Sequence, residues 1–443
     1  MACKVHIDDL VVIQPDTAGI DVGSESHWVS VPADRDAEPV REFSAMTHGL
    51  LALADWLQKC GIRRVAMEST GVYWIPLYEL LCERGLEVAL VDGRKIKHVS
   101  GRKSDPIDCR WLRKLHSCGL LQGAFRPEQE VCELRAIVRH RGRLIEDAAR
   151  YVQRMQKALT EMNLKLDRVL SDIAGTTGMA IIRAIVAGER DPAILAQHRD
   201  KRCQRSVEEI TQALTGTWRD EHLYVLAQAL STYDHFQSQI RACDAEIERR
   251  LAQWPTRTEA PAPAESKRKR QRNTPQIDLH TALYHILGVD VAGMPGMDPY
   301  TVLRVLSEVG TTLERFESVK AFAAWLGLCP GTRISGGKVL CGKTARIANR
   351  AARAFRLAAQ AVGKTDTALG AFYRRLKARL GAPKALTATA HKMARQFYAL
   401  IKHGQGYVEP GAAEYEARYK QRVLNNLSRR AKALGFNLVP SAA

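Results

Sequence analysis

Hydrophobic positions in the first 125 residues fall in short runs separated by polar turns and by segments of helical period, the alternation of an α/β domain. AGID at 18–21 reads as a strand, a Gly-Ser turn follows, and HWVSVP at 27–32 reads as its hairpin partner. THGLLALADWLQKC is an amphipathic helix, RRVAME a buried strand ending at Glu68, WIPLYELLCERG a helix stopped by Gly85, and LEVALVD a further strand. SDPID opens another helix, with Asp105 as N-cap and Pro106 at the first helical position, where a missing N–H costs nothing.

The period changes near Glu130. Val138, Ile145, Val152, Leu159 and Leu166 fall seven apart, with Arg141, Ala148, Met155 and Met162 at the complementary position. A second run, Leu223, Leu226, Leu230, Tyr233, Ile240 and Ile247, can pack back on the first. Residues 130–254 therefore read as a helical, coiled-coil-like arm suited to dimerisation or partner binding. Residues 255–276 are rich in Pro and Ala, contain KRKRQR and lack an apolar period, which predicts a flexible linker whose basic cluster either touches nucleic acid or stays solvated. A mostly helical domain spans 278–403, and an Ala, Arg and Tyr-rich helical tail occupies 404–443. The expected architecture is α/β (15–125) followed by all-α.

Charge sharpens this outline. The chain of 443 residues has 66 Lys and Arg against 48 Asp and Glu, a net charge of +18, which points to a polyanion. Between Gly331 and Lys402 there are 16 basic residues and one acid, Asp366, so most of the excess lies in one segment. No long apolar run or signal peptide is read, which sets membrane partners aside. The ten cysteines lack CxxC or zinc-type spacing and read as reduced, mostly buried thiols of a cytoplasmic protein.

Four carboxylates stand out. Asp21 ends the first strand, Glu68 a later one, and Asp105 and Asp108 lie three apart in the first turn of a helix. Each alone has a plain structural role in a cap, a turn or a helix dipole. Converging at one sheet edge, they would repel one another unless a cation held them ionised, and hard oxygen ligands suit Mg²⁺ or Mn²⁺. This order of acids is similar to the RNase H and RuvC type of nuclease fold.

Four ordered stretches make the resemblance specific. GIDVGSESHWVSV, AMESTGVYW and KSDPIDCRWL, followed far downstream by FAAWLGLCPGTRISGGK, resemble the DEDD transposases of insertion-sequence family one hundred and ten, which are bridge-RNA-guided serine recombinases. The likeness extends over nearly the whole chain. It implies that Asp21, Glu68, Asp105 and Asp108 are the acidic tetrad and that Ser335 is a nucleophile forming a phosphoserine link to DNA. It also implies a site composed from two subunits, hence a dimer or tetramer, with donor DNA, target DNA and a bridge RNA as partners at the bacterial nucleoid. Without the resemblance, Ser335 before Gly336 and Gly337 reads as a turn residue.

Beyond the serine, Lys338 and Lys343 precede TARIANRAARAFRLAAQAV, in which Lys343, Arg346, Arg350 and Arg353 share one helix face while Ile347, Ala351, Phe355 and Ala358 turn to the core. Such a stripe grips phosphates without reading bases. Upstream, GVDVAGMPGMDPYTVLRVLSEVG resembles a helix-hairpin-helix turn, yet Asp298-Pro299 is equally a helix start. Two rival readings share these residues: a metal-dependent junction nuclease in which water attacks, and a non-catalytic nucleic-acid-binding protein.

Overall fold

The computed structural model describes residues 11–68, 71–91, 105–121, 123–264, 272–344 and 349–439. The chain forms two compact units, residues 1–126 and 127–443.

The first unit is a five-stranded sheet of order β3-β2-β1-β4-β5 with helices. β1 (Thr17–Val22) pairs antiparallel with β2 (Ser26–Ser30), setting Asp21 opposite Trp28, and β2 pairs with β3 (Val40–Ser44). On its other side β1 runs parallel to β4 (Arg64–Glu68), and β4 parallel to β5 (Glu87–Val91). Ala18, Ile20, Val65 and Met67 in the two central strands are fully buried, the near-continuous apolar run that a sheet covered by helices requires. α1 (Thr47–Lys59) and α2 (Trp74–Glu83) supply Leu53, Leu57, Leu77 and Leu81 to this core. Gly85 ends α2 at φ +79°, as its sequence position predicts.

α3 (Asp105–Ser117) lies against β1. The approach is close because residue 19 is glycine: a Cβ there would stand 2.3 Å from the Cys109 carbonyl oxygen and 2.4 Å from the Arg113 nitrogen. Asp105 is helical, and the residues just before it lie outside the described ones. β3 was not expected from sequence. Its half-buried VREFS pattern is that of an edge strand, with Arg41 paired to Asp36 at 2.8 Å and stacked over Trp56.

In the second unit α4 (Gln129–Glu161) packs along α9 (Asp220–Leu251). Between them in sequence α5 (Leu166–Val169), α6 (Thr176–Val186), α7 (Pro192–Ala196) and α8 (Val207–Leu214) build a small helical cluster around Ile181, Ile185, Ile210 and Leu214. The seven-residue pattern overran by one step, because α4 stops at Glu161, Asn163 turns at φ +58°, and Leu166 belongs to α5. Met155, Leu159, Leu226, Leu230 and Tyr233 are buried within the chain, so the seam expected to join subunits is used by the intrachain pairing.

The seam also holds a buried ion pair. Arg141 is 1% exposed and donates to both carboxylate oxygens of Asp244, itself 3% exposed. Its Nη1 donates to the Asn273 carbonyl at 2.9 Å, and Asp244 accepts from the Gln276 nitrogen at 3.2 Å. Arg272 is tied to Asp172 and to the Tyr233 hydroxyl. The expected linker is thus anchored to the arm at its 272–276 end, and the rest of the basic cluster lies outside the described residues.

Residues 279 onward form α10 (Leu279–Leu287), α11 (Pro299–Val309), α12 (Val319–Trp325), a hairpin of β6 (Arg333–Ser335) and β7 (Lys338–Cys341), α13 (Arg350–Val362), α14 (Ala368–Leu380), α15 (Ala382–His403) and α16 (Gly411–Ala433). Phe322, Phe355 and Phe397 are fully buried, with Phe397 5.5 Å from Phe355 and 6.3 Å from Phe322 between ring centres. Asp298 caps α11 by accepting from the Thr301 nitrogen at 2.9 Å. Gly296 has φ +83°, and a Cβ there would stand 2.6 Å from Val362 Cγ1 and 2.7 Å from the Ala358 carbonyl oxygen of α13. The turn resembling a helix-hairpin-helix is therefore built to pack on α13.

Among the described residues no helix is long and apolar enough to cross a membrane. The nine described cysteines are free; Cys60, Cys109 and Cys118 are buried, Cys82 is exposed and the rest lie between, fewer buried thiols than expected.

Two stability predictions follow from this packing. Gly19→Ala should lower stability by about 1–3 kcal/mol by forcing α3 off the sheet, whereas Gly142→Ala, inside α4 with nothing within 4 Å of the new methyl, should raise it by roughly 0.5–1 kcal/mol. Denaturant midpoints compare them, and equal behaviour of the two would refute the steric account. Arg141→Met should cost about 3–5 kcal/mol by stranding the Asp244 charge, and adding Asp244→Leu should restore much of the loss. A double-mutant cycle measures this coupling; simple additivity would deny it.

Candidate functional site

Two of the four carboxylates come together by strand register. With Ile20 opposite Met67, the next residues, Asp21 and Glu68, lie side by side at the C-terminal edge of parallel strands. Both are half-buried. Asp108, also half-buried, and Asp105, exposed, occupy the first turn of α3, which packs on β1 at Gly19. The Cys109 thiol is pushed up to about 12, mainly by burial and further by the negative charge of Asp21. Asp21 therefore lies within electrostatic reach of the residue that follows Asp108. Asp21 and Glu68 offer hard oxygen donors of the type a divalent cation takes, but Asp105 and Asp108 do not close with them into a ligand set. Among the described residues no three His, Cys, Asp or Glu side chains stand close enough together to hold an ion.

Ser335 ends β6, opposite Lys338 on β7, and Gly336 and Gly337 form the two-residue turn at φ +54° and +73°. Positive φ at both positions defines the type I′ turn that matches strand twist, which explains the Gly-Gly pair. Ser335 stands at the shoulder of this turn rather than within it. Both Ser335 and Lys338 are exposed, and cross-strand partners project to the same face. Among the described residues nothing lies within 4 Å of a methyl built on either glycine.

Lys343 departs from expectation. Its carbonyl accepts from the Gly331 nitrogen at 2.9 Å, and Thr344 bridges to Pro330, so both residues close the base of the hairpin. The helix expected from Thr344 starts instead at Arg350, because Asn349 caps it by accepting from the Ala352 nitrogen at 3.0 Å. Arg346 and Ile347 lie outside the described residues. Within α13, Ala351, Phe355 and Ala358 are buried and Arg350 and Arg353 exposed, as their spacing predicts.

Arg350 and Arg353 open onto a cleft of about 850 Å³ between α4, α11 and α13. Arg139 and Arg143 enter from α4, Arg304 from α11 and Arg356 from α13. Of the three carboxylates among its described residues, Glu308 binds Arg139 through both oxygens and stands 3.5 Å from Arg135, Asp298 caps α11, and Glu146 lies on the α4 wall. Arg143, Arg304, Arg350, Arg353 and Arg356 pair with no carboxylate among the described residues. Five such guanidinium groups along one cleft have the chemistry that suits phosphate oxygens. Sequence reading missed Arg139, Arg143, Arg304 and Arg356, since residues on three separate helices carry no local signal that they share a wall.

Two family models match the chain. A DEDD model of the IS110 type, described as a transposase, matches residues 18–164, which include all four carboxylates. The transposase IS116/IS110/IS902 family model matches residues 290–374, which include Ser335, Lys338, Lys343, Arg346, Arg350 and Arg353. A curated relative, the insertion element IS116 uncharacterized 44.8 kDa protein of Streptomyces clavuligerus, is 27% identical over 172 residues, 37% of this chain. The match spans 43% of that relative's length.

Replacing Arg143 and Arg353 together by Gln should weaken binding to unrelated duplexes alike and reduce the slope of log affinity against log salt by about 1.8. Fluorescence anisotropy over a salt series measures both effects, and a sequence-selective loss with an unchanged slope would assign these residues to base contacts.

Proposed function

The chain belongs to the IS110 family of transposases, and from that premise we propose that it cuts and rejoins DNA as the transposase of an insertion sequence, through a covalent link at Ser335. The observation that carries this reading is the presentation of Ser335: an exposed hydroxyl at the shoulder of a type I′ hairpin, with open space around both glycines. A phosphodiester can approach such a hydroxyl without displacing protein.

The chemistry is a transesterification. Ser335 Oγ bonds to phosphorus as the P–O bond to the deoxyribose breaks; the serine proton leaves to solvent and the departing sugar oxygen gains one. One phosphodiester replaces another, so a hydroxyl of a second strand can reverse the step and rejoin DNA without an external energy source. Lys338, across the hairpin from Ser335, is placed to neutralise a phosphate oxygen. Asp21 and Glu68, joined by Asp105 and Asp108 once these draw nearer than they stand here, would hold a divalent cation, Mg²⁺ or Mn²⁺, which when bound neutralises phosphate charge. The strand order 3-2-1-4-5, with acids at the ends of β1 and β4, supports an RNase H-like reading of the first unit.

The arginine cleft contributes affinity without sequence choice. Choice of DNA belongs, in this reading, to base pairing with a bridge RNA, and the working assembly is a homo-oligomer of two or four chains. The chain is accordingly read as a 15–125 catalytic domain, a 130–254 arm, and a 278–403 serine domain with a tail.

Ser335→Ala should remove the denaturant-resistant protein–DNA adduct and lower recombination more than about a thousandfold. The assay uses DNA carrying the element's ends together with co-purified RNA. Asp21→Asn should abolish strand cleavage while leaving the unfolding midpoint near that of the parent. An adduct formed by the alanine variant, or metal-dependent cutting with no adduct in the parent, would transfer the role of nucleophile to water.

A further inference from the structure

The tail helix α16 meets the rest of its unit in an unusual way. Tyr415, Arg418, Tyr419 and Arg422 recur at i, i+3, i+4 and i+7, the spacing of a buried helix face, yet Ala412 alone is buried along the helix. That face borders a pocket of about 290 Å³, closed on the other side by Lys392 and Gln396 of α15 and by Tyr407. All but the edge of its wall lies beyond residue 374, where the second family match ends.

The pocket has aromatic walls and a surplus of cations. The Arg375 guanidinium lies 3.6 Å from the centre of the Tyr419 ring and hydrogen-bonds the Tyr415 hydroxyl, holding α16 in place. Lys392 sits 4.6 Å from Phe372 and 4.8 Å from Tyr415, ring centre to Nζ. Burial, with Arg375 and Arg422 close by, keeps its amine below the usual lysine range. The nearby carboxylates are committed. Glu409 accepts from the nitrogens of Ala368 and Gly411 and from the Tyr407 hydroxyl, and Glu414 pairs with Arg418. Arg422 and Lys392 have no carboxylate partner among the described residues.

Among the described residues two buried polar atoms here lack hydrogen-bond partners: Oε1 of Gln396, an acceptor in the pocket wall, and Nη1 of Arg375, a donor behind the tyrosines. A ligand that satisfies the pocket must offer an anionic acceptor to the cations, an N–H to Gln396 and a flat ring to the tyrosines. A nucleotide has all three, and the volume sits at the small end of the roughly 300–1,000 Å³ range of ligand pockets. A duplex does not fit such a space.

We propose that this pocket holds a single unstacked nucleotide of a nucleic-acid strand, its base against the tyrosines and its phosphate on Arg422 and Lys392. The inference rests on the reading that the chain acts on nucleic acid, and it gives the tail a role in gripping a strand apart from the arginine cleft. Aromatic stacking tolerates any base, so the contact favours single-stranded character over sequence.

The test uses full-length protein and short single strands containing 5-iodouracil, in ribo and deoxy forms, with adenosine monophosphate and inorganic phosphate as competitors. Photocrosslinking followed by mass spectrometry should place the strand on the peptide bearing Tyr415 and Tyr419. Adenosine monophosphate should compete and inorganic phosphate at equal concentration should not. Arg422→Gln, which leaves the Arg375 contacts to α16 intact, should weaken strand binding about tenfold and lower the salt slope by about 0.7. Gln396→Leu should weaken adenosine monophosphate binding with no change in slope. A crosslink with either strand supports the proposal, and the stronger one identifies RNA or DNA as the source. Equal competition by inorganic phosphate, crosslinks confined to other segments, or an unaltered Arg422→Gln variant would overturn it. Should the crosslink form in a protein that never recombines DNA, the pocket stands and the transposase reading fails.

Discussion

The buried pair of Arg141 and Asp244 is the contact on which the second unit turns. Moving a guanidinium and a carboxylate out of water costs several kcal/mol per ion, and their attraction offsets this only when further hydrogen bonds complete both groups. Here they do: Asn273 accepts from Arg141, Gln276 donates to Asp244, and the Tyr300 ring lies 5.0 Å from the guanidinium carbon. Four stretches of chain, α4, α9, the 273–276 segment and α11, are therefore tied to one charge pair. An aliphatic pair could fill the same volume but would accept other registers of one long helix on the other. The ion pair is satisfied in one alignment, and that alignment sets α4 against α11 so that Arg139 reaches Glu308 and the cleft has two of its walls.

The same principle sorts the positive charge of the molecule. Net charge alone says that a polyanion binds somewhere. Partners say where. Arg41, Arg84, Arg139, Arg141 and Arg183 are held by carboxylates and serve the fold. Arg143, Arg304, Arg350, Arg353 and Arg356 of the cleft, and Lys392 and Arg422 of the tail pocket, face openings without such a partner among the described residues. Counting basic residues between 331 and 402 picks out Arg350, Arg353, Arg356 and Lys392 but not Arg143, Arg304 or Arg422, because sequence does not reveal which distant helices share a wall.

What the sequence revealed follows the range of the forces involved. The strands holding Asp21 and Glu68, the helix holding Asp108 and the long helices of the arm were legible, because apolar period and Gly or Pro punctuation are local. β3 was not, since an edge strand of half-exposed residues has no buried run to mark it. Arg141 was seen only as a seam position, its partner lying 103 residues away. The basic stripe was assigned to one unbroken helix because Lys343 and Arg350 are seven apart, two helical turns. The backbone groups of Lys343 and Thr344 are used to close the hairpin, and Asn349 is the better cap, so the stripe divides into hairpin and helix. Ser335 could not be ranked above a turn residue from composition, since type I′ geometry is a property of the paired strands.

That hairpin sets a condition on the proposed chemistry. A two-stranded hairpin is marginal in water unless something packs on it. Ile334, Val339 and Leu340 are 64%, 64% and 68% exposed, so this one draws little support from burial. Its shape rests on the two positive-φ glycines, on the short ladder, and on the Pro330 to Thr344 bridge at its base. The backbone that aims Ser335 is thus defined by the turn, while rigidity of the kind that lowers a barrier requires a surface closing over those apolar side chains. If Ser335 is the nucleophile, a serine so placed would act poorly while the hairpin stands open and better once substrate or another chain covers it, so the proposed covalent step would belong to an assembled complex.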